Sequence, residues 1–171
     1  MREIMLFRAG DRQFGMDLSW VKRVYRAADL TEVQGKIDAD TEGLRFCRLP
    51  DGAEMPLYDF PMIFGNMPHA RTAFSPGRKI ILLEADGTAL SILADHIDHV
   101  VETDADHFFP LHPVFGEKSR KWFPAVFRTG TRLIPLLYPG GMAGIASAES
   151  GTEKFFPLIL HDDAEKKQIL R

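Results

Sequence analysis

Four of the six histidines, His96, His99, His107 and His112, fall in one stretch with Asp95, Asp98, Asp104 and Asp106 among them. Imidazole and carboxylate together suit zinc or another divalent cation. The spacing is poor for that purpose. His96 and His99 stand at an odd separation, so on a strand they face opposite sides, and only on a short helical turn do they share a face. The ordinary reading is a solvated polar face around buried Ile97 and Val100. Cys47, the single cysteine, lies in a strand-like run at 44–49, where a small buried hydrophobe is the default and a reactive thiol the exception. No G-x-S-x-G, no Gly-rich phosphate loop, no G-x-G-x-x-G and no H-E-x-x-H occurs. Phe108, Phe109, Phe115, Trp122 and Phe123 read as core, or as one apolar contact surface, rather than as a cofactor box. Catalysis needs convergent polar groups, and none can be assembled, so neither catalytic residues, nor a cofactor, nor a metal site is expected.

Composition narrows the partners. The chain has 171 residues, 21 Lys and Arg against 24 Asp and Glu, and is 45% hydrophobic. That is enough for one domain or two small ones and too apolar for disorder. A net charge of -3 without a basic stripe removes most of the case for nucleic-acid binding. No run of about 18 apolar residues occurs, so direct membrane insertion is not expected. The N-terminal apolar run is broken by Arg8 and Gly10 and does not read as a signal peptide, and one cysteine cannot make an internal disulfide. Both features favour the cytoplasm.

The elements that must position these residues are mostly strands, since short apolar runs recur between turn residues and helical periodicity is almost absent. Residues 4–9 and 13–17 flank a turn at Gly10-Asp11. Residues 79–85 and 88–94 flank Asp86-Gly87, which suits a two-residue type I′ hairpin because both central positions need positive φ. Residues 122–128 and 132–137 flank Thr129-Gly130-Thr131, a third hairpin. The layout then repeats. Residues 10–24 match 86–100, with Val21/Val24 answered by Ile97/Val100, and Met55-Pro56-Leu57-Tyr58 is answered by Ile134-Pro135-Leu136-Leu137. The offset is 76 residues early and 79 late. One small β unit, duplicated, predicts two tandem five-stranded β-barrels with few short helices, barrel closure removing exposed strand edges. The expected division is a first barrel at 1–65, a linker at 66–77, a second barrel at 78–144 and a C-terminal extension at 145–171. Residues 34–43 read as a polar loop. Phe155, Phe156, Leu158, Ile159 and Leu160 in the extension predict a docked strand or helix, since a fully buried large side chain contributes about 1.5–3 kcal/mol.

Leu6-Phe7-Arg8-Ala9-Gly10-Asp11-Arg12-Gln13-Phe14-Gly15-Met16-Asp17-Leu18, followed by Val21-Lys22-Arg23-Val24, resembles the opening of a CheW-like domain. Met55-Pro56-Leu57-Tyr58-Asp59-Phe60 resembles the strand closing that domain's first barrel. Residues 80–84, Gly87, Ala94-Asp95, Ile97 and Val100-Val101-Glu102 resemble its second. The likeness spans about residues 4–144 and implies two SH3-like barrels. It also implies a non-catalytic coupling protein that joins the cytoplasmic tip of a chemoreceptor to the regulatory domain of a CheA-type histidine kinase. The resemblance implies a receptor groove between barrels lined by Val21, Val24, Ile97 and Val100, each of which has plain core packing as its alternative, and a kinase contact at a barrel end. Two departures touch this surface. The family's Asn-Leu-Arg-Gly turn is replaced by Leu49-Pro50-Asp51-Gly52, and Arg23 stands where many relatives carry Glu. The signs are exchanged, so Arg23 and Asp51 could still attract each other with inverted charges. The alternative is an ordinary turn whose Asp bonds its own backbone, with Arg23 solvated. Protein-binding residues expected on these grounds are Val21, Arg23, Val24, Asp51, Gly52, Ile97 and Val100. Two rival functions remain open at this level: a divergent CheW-like module serving another signalling kinase or partner, and a metal-responsive barrel built on the histidine stretch.

Overall fold

The computed structural model describes residues 1–33, 43–63 and 74–142. The expected polar loop falls almost wholly outside these residues, as do most of the linker and the whole of the extension. The chain is mainly β. Its strands are β1 Arg2–Ala9, β2 Arg12–Asp17, β3 Val21–Arg26, β4 Thr31–Glu32, β5 Leu44–Arg48, β6 Glu54–Tyr58, β7 Lys79–Ala85, β8 Thr88–Ala94, β9 His96–Thr103, β10 Phe108–Pro110, β11 Ala125–Thr129 and β12 Arg132–Leu136. Three short helices, α1 Phe60–Ile63, α2 Gly116–Trp122 and α3 Pro139–Met142, complete the regular elements with a few 3-10 turns.

Turn chemistry places the hairpins. Asp86 has φ 52° and Gly87 φ 77°, and Asp86 is the one non-glycine residue with positive φ among those described. The type I′ turn demands this, and β7 and β8 pair in unbroken antiparallel register from Lys79↔Ala94 to Ala85↔Thr88. The third hairpin is tighter than its sequence suggests: Thr129 pairs with Arg132, leaving a loop of Gly130-Thr131. Trp122 and Phe123 are not part of its strand. Trp122 ends α2, and β11 starts after Pro124, which has no N–H to give to a ladder.

Two six-stranded sheets result, one ordered β10-β11-β12-β2-β1-β9 and the other β3-β7-β8-β6-β5-β4. Adding six to each strand number below seven, and subtracting six from the others, converts one order into the other. The repeat is thus a repeat of topology. It extends to register: Leu57 pairs with Ser91 in the parallel β6–β8 contact, and Leu136 pairs with Gly15 in the parallel β12–β2 contact. Those partners are related by the same offsets, 79 and 76. The Asp59 N–H donates to the Gly43 carbonyl, and 79 residues later the Tyr138 N–H donates to the Trp122 carbonyl. The sheets do not each take one half of the repeat, however. The β1–β2 hairpin sits with strands of the second half, and the β7–β8 hairpin with strands of the first.

Two compact units are distinguished. One holds Met1–Met5, Phe14–Leu18 and the chain from Val100, the other Leu6–Gln13 and Ser19–His99. In the first, Phe14 stacks on Phe123 at 5.5 Å and Phe108 meets Phe127 at 5.7 Å between ring centres. Of the aromatics expected in the core, Phe108, Trp122 and Phe123 are buried, but Phe115 is 57% exposed on a 3-10 turn. In the second unit Ala27, Leu30, Cys47, Leu49, Leu57, Ile80 and Leu93 form a core, with Tyr25, Met55, Phe74 and Leu82 packed against it.

Candidate functional site

The strand β3 carries three of the expected binding residues. Its sequence, V-K-R-V-Y-R, favours an extended chain through its β-branched and aromatic residues. It is an end strand, paired with β7 from Val21↔Leu83 to Arg26↔Lys79, with an irregularity between Val21 and Arg23. Val21 is half-buried, whereas Val24 is 41% exposed. Tyr25 turns to the core and supports Arg23, whose guanidinium carbon lies 5.2 Å from the centre of the Tyr25 ring.

Asp51 and Gly52 lie in the turn joining β5 to β6. The Ala53 N–H donates to Asp51 Oδ1 at 2.9 Å, the Gly52 N–H donates to the Leu49 carbonyl, and Gly52 takes φ 90°. The carboxylate thus serves its own turn, as Asp does where a short acceptor can reach the backbone two residues on. Among the described residues no ion pair joins Arg23 to Asp51; the attraction between them is replaced by a cation–π contact at one residue and an Asx-type bond at the other.

Ile97 and Val100 lie on β9, the end strand of the other sheet. Ile97 is half-buried and Val100 is 44% exposed. Val24 and Val100 therefore hold related places in the repeat and are both exposed, whereas core packing applies in part to Val21 and Ile97. The start of β9 is fastened by two aspartates whose role the sequence did not disclose. Asp98 accepts from Gln13 Nε2 at 2.6 Å and Arg8 Nε at 3.2 Å. Asp95 accepts from the Gly10 N–H at 2.6 Å, and its other oxygen lies 3.1 Å from Arg78 Nε, close enough for ion pairing although not aligned as a hydrogen bond. Gly10, Gln13 and Arg8 lie 85, 85 and 90 residues from the aspartates they bond, and neither Asp has an acidic counterpart in the first half, where Ser19 and Lys22 stand.

The histidines are dispersed in their tasks. His96 and His99 are exposed on β9, His96 3.6 Å from Asp98; His107 meets the Phe127 ring edge-on; His112 Nδ1 accepts from the Val114 N–H. Among the described residues no group of three or more His, Cys, Asp or Glu side chains could hold a metal ion. Cys47 is fully buried with its Sγ 3.5 Å from Ser91 Oγ, and burial pushes its thiol pKa up, which disfavours the nucleophilic thiolate. Nor is any helix among the described residues long and apolar enough to cross a membrane.

The described residues thus form two β sheets of the same strand order, each with an exposed valine on an end strand. The CheW-like domain family matches residues 3–145, and the chain belongs to that family. The scaffolding protein TtCheW from Thermoanaerobacter tengcongensis has a similar fold, with a TM-score of 0.63 at 18% sequence identity, over 80% of this chain and 88% of that one. No curated protein sequence matches the chain. CheW-like domains are non-catalytic scaffolds that act as adaptors in signalling and generally bind CheA and chemoreceptors.

Proposed function

We propose that this chain is a cytoplasmic adaptor that couples the tip of a chemoreceptor to the regulatory domain of a CheA-type histidine kinase. The observation that carries this reading is the family match across residues 3–145. The repeated strand order and register support a finer architecture of two SH3-like barrels, each closing around one sheet with the opening hairpin exchanged. In this reading Val24 and Val100, with half-buried Val21 and Ile97 beside them in the chain, supply apolar contact to the receptor. Arg23 and the Asp51-Gly52 turn set the charge that the partner meets.

Calorimetric titration of the full chain into the regulatory domain of a CheA-type kinase from the same organism tests the kinase half of the proposal. Saturable one-to-one binding is expected, through an interface of about 1,600 Å² or less, as suits an exchangeable assembly. Absence of heat with every such kinase of the organism contradicts it. The departures at Arg23 and Asp51 favour, as a second reading, a divergent module for another signalling kinase. Binding to a non-chemotaxis kinase with none to a CheA-type regulatory domain distinguishes that case.

A further inference from the structure

The end strands β3 and β9 are equivalent in the repeat and differ in charge: β3 is cationic, whereas on β9 the Asp98 carboxylate is already taken up by Arg8 and Gln13. β3 carries Lys22, Arg23 and Arg26 with no carboxylate; β9 carries Asp98 and Glu102 with no Lys or Arg. All three cations of β3 are exposed, as is Val24 at 41%; Arg26 shares the Val24 face of the strand, and Arg23 stands on the Tyr25 face. The strand opposite adds to the charge, for Lys79 faces Arg26 in the ladder. Among the described residues one carboxylate pairs with these cations: Asp29 meets Arg26 at 2.9 Å. Arg23 rests on the Tyr25 ring, which orients its charge without neutralising it. Charges of one sign held this close repel each other, and a ligand bringing carboxylates relieves that repulsion.

We propose that β3 selects its partner by charge and docks a protein segment whose apolar ridge is flanked by carboxylates. This rests on the adaptor reading in that the natural segment belongs to the receptor. The exposed valine supplies the apolar contact, and Lys22, Arg23 and Arg26 supply recognition. A segment flanked by Lys or Arg is rejected, because like charges brought together at an interface cost more than opposite charges gain at its rim.

The test uses the full chain and two kinds of probe. One is a pair of synthetic amphipathic helical peptides with the same Leu and Val ridge, flanked by Glu in one and Lys in the other. The other is the set of soluble receptor-tip fragments from the same organism. Wild-type protein is expected to prefer the Glu peptide by about tenfold or more at low salt, with the preference shrinking as salt rises. K22E/R23E is expected to invert the preference and K22Q/R23Q to flatten it, both melting as the wild type does, since the side chains are exposed. Equal binding of the two peptides by wild-type protein overturns the proposal. So does unchanged discrimination in K22E/R23E. If the substitutions leave binding alone but promote self-association, the cations only guard an open strand edge, and the proposal falls. Selection of the Glu peptide without binding to any receptor fragment keeps the charge rule and refutes the receptor reading.

Discussion

Asp59 is the residue at which burial and charge most visibly compete. It precedes α1, is 3% exposed, and has one carboxylate oxygen without a hydrogen-bond partner among the described residues. Burial raises its pKa above the ordinary 3.8; the Arg78 charge, the Met62 N–H and the Arg45 charge oppose this, and the Asp95 charge adds to it. The folded chain therefore holds the proton more tightly than the unfolded chain. Stability from this group is fully present below the unfolded value and is lost as pH rises through the raised folded value. Asp59→Asn is expected to remove that loss, so its stability relative to wild type improves as pH rises from 3.8. Urea denaturation of both proteins from about pH 3 to about pH 7 checks this, and a difference that stays flat with pH contradicts it. At this scale the sequence spoke unevenly. The burial of Cys47 and the self-bonded Asp51 turn follow from local chemistry and could be read. The fastening of β9 by Asp95 and Asp98 could not, because Gln13 and Arg8 stand 85 and 90 residues from Asp98.

At the scale of elements, two glycines separate what a turn needs from what packing needs. Gly87 has φ 77° and open space where a side chain would start, so Gly87→Ala pays in backbone conformation alone, about 1 kcal/mol. At Gly141 a Cβ would run into the Lys121 carbonyl, which belongs to backbone and cannot swing aside. α3 would have to part from α2, and Gly141→Ala is expected to cost about 3 kcal/mol or more. Equilibrium denaturation of the two variants should rank them in that order; equal losses would show that α3 does not need its close approach. The β7–β8 hairpin was legible because alternation and Asp-Gly act within a few residues. The exchange of hairpins between sheets was not. The two hairpins share one apolar layout, so either satisfies either sheet's alternating pattern, and sequence periodicity carries no mark of which one goes where. Phe115 shows the same limit, since an aromatic residue in an apolar stretch gives no sign that its turn points into solvent.

For the molecule as a whole, the repeat explains how one short chain can offer two comparable edges with different chemistry. Duplication supplies the strand order twice, and divergence leaves Lys22, Arg23 and Arg26 exposed on one edge, whereas on the other Asp98 is taken up by Gln13 and Arg8. Family membership and a mainly β, repeated layout were legible in the order and spacing of weak motifs; the charge contrast needed the structure to place β3 and β9 at sheet ends. A coupling protein must hold two partners at once, and binding either alone does not establish that. The most direct measurement is co-sedimentation of a CheA-type kinase with receptor-bearing membranes from the same organism, with and without this chain. Kinase is expected in the pellet in proportion to added adaptor, up to saturation. Kinase that pellets equally in its absence, or stays in solution despite its presence, would contradict the coupling role.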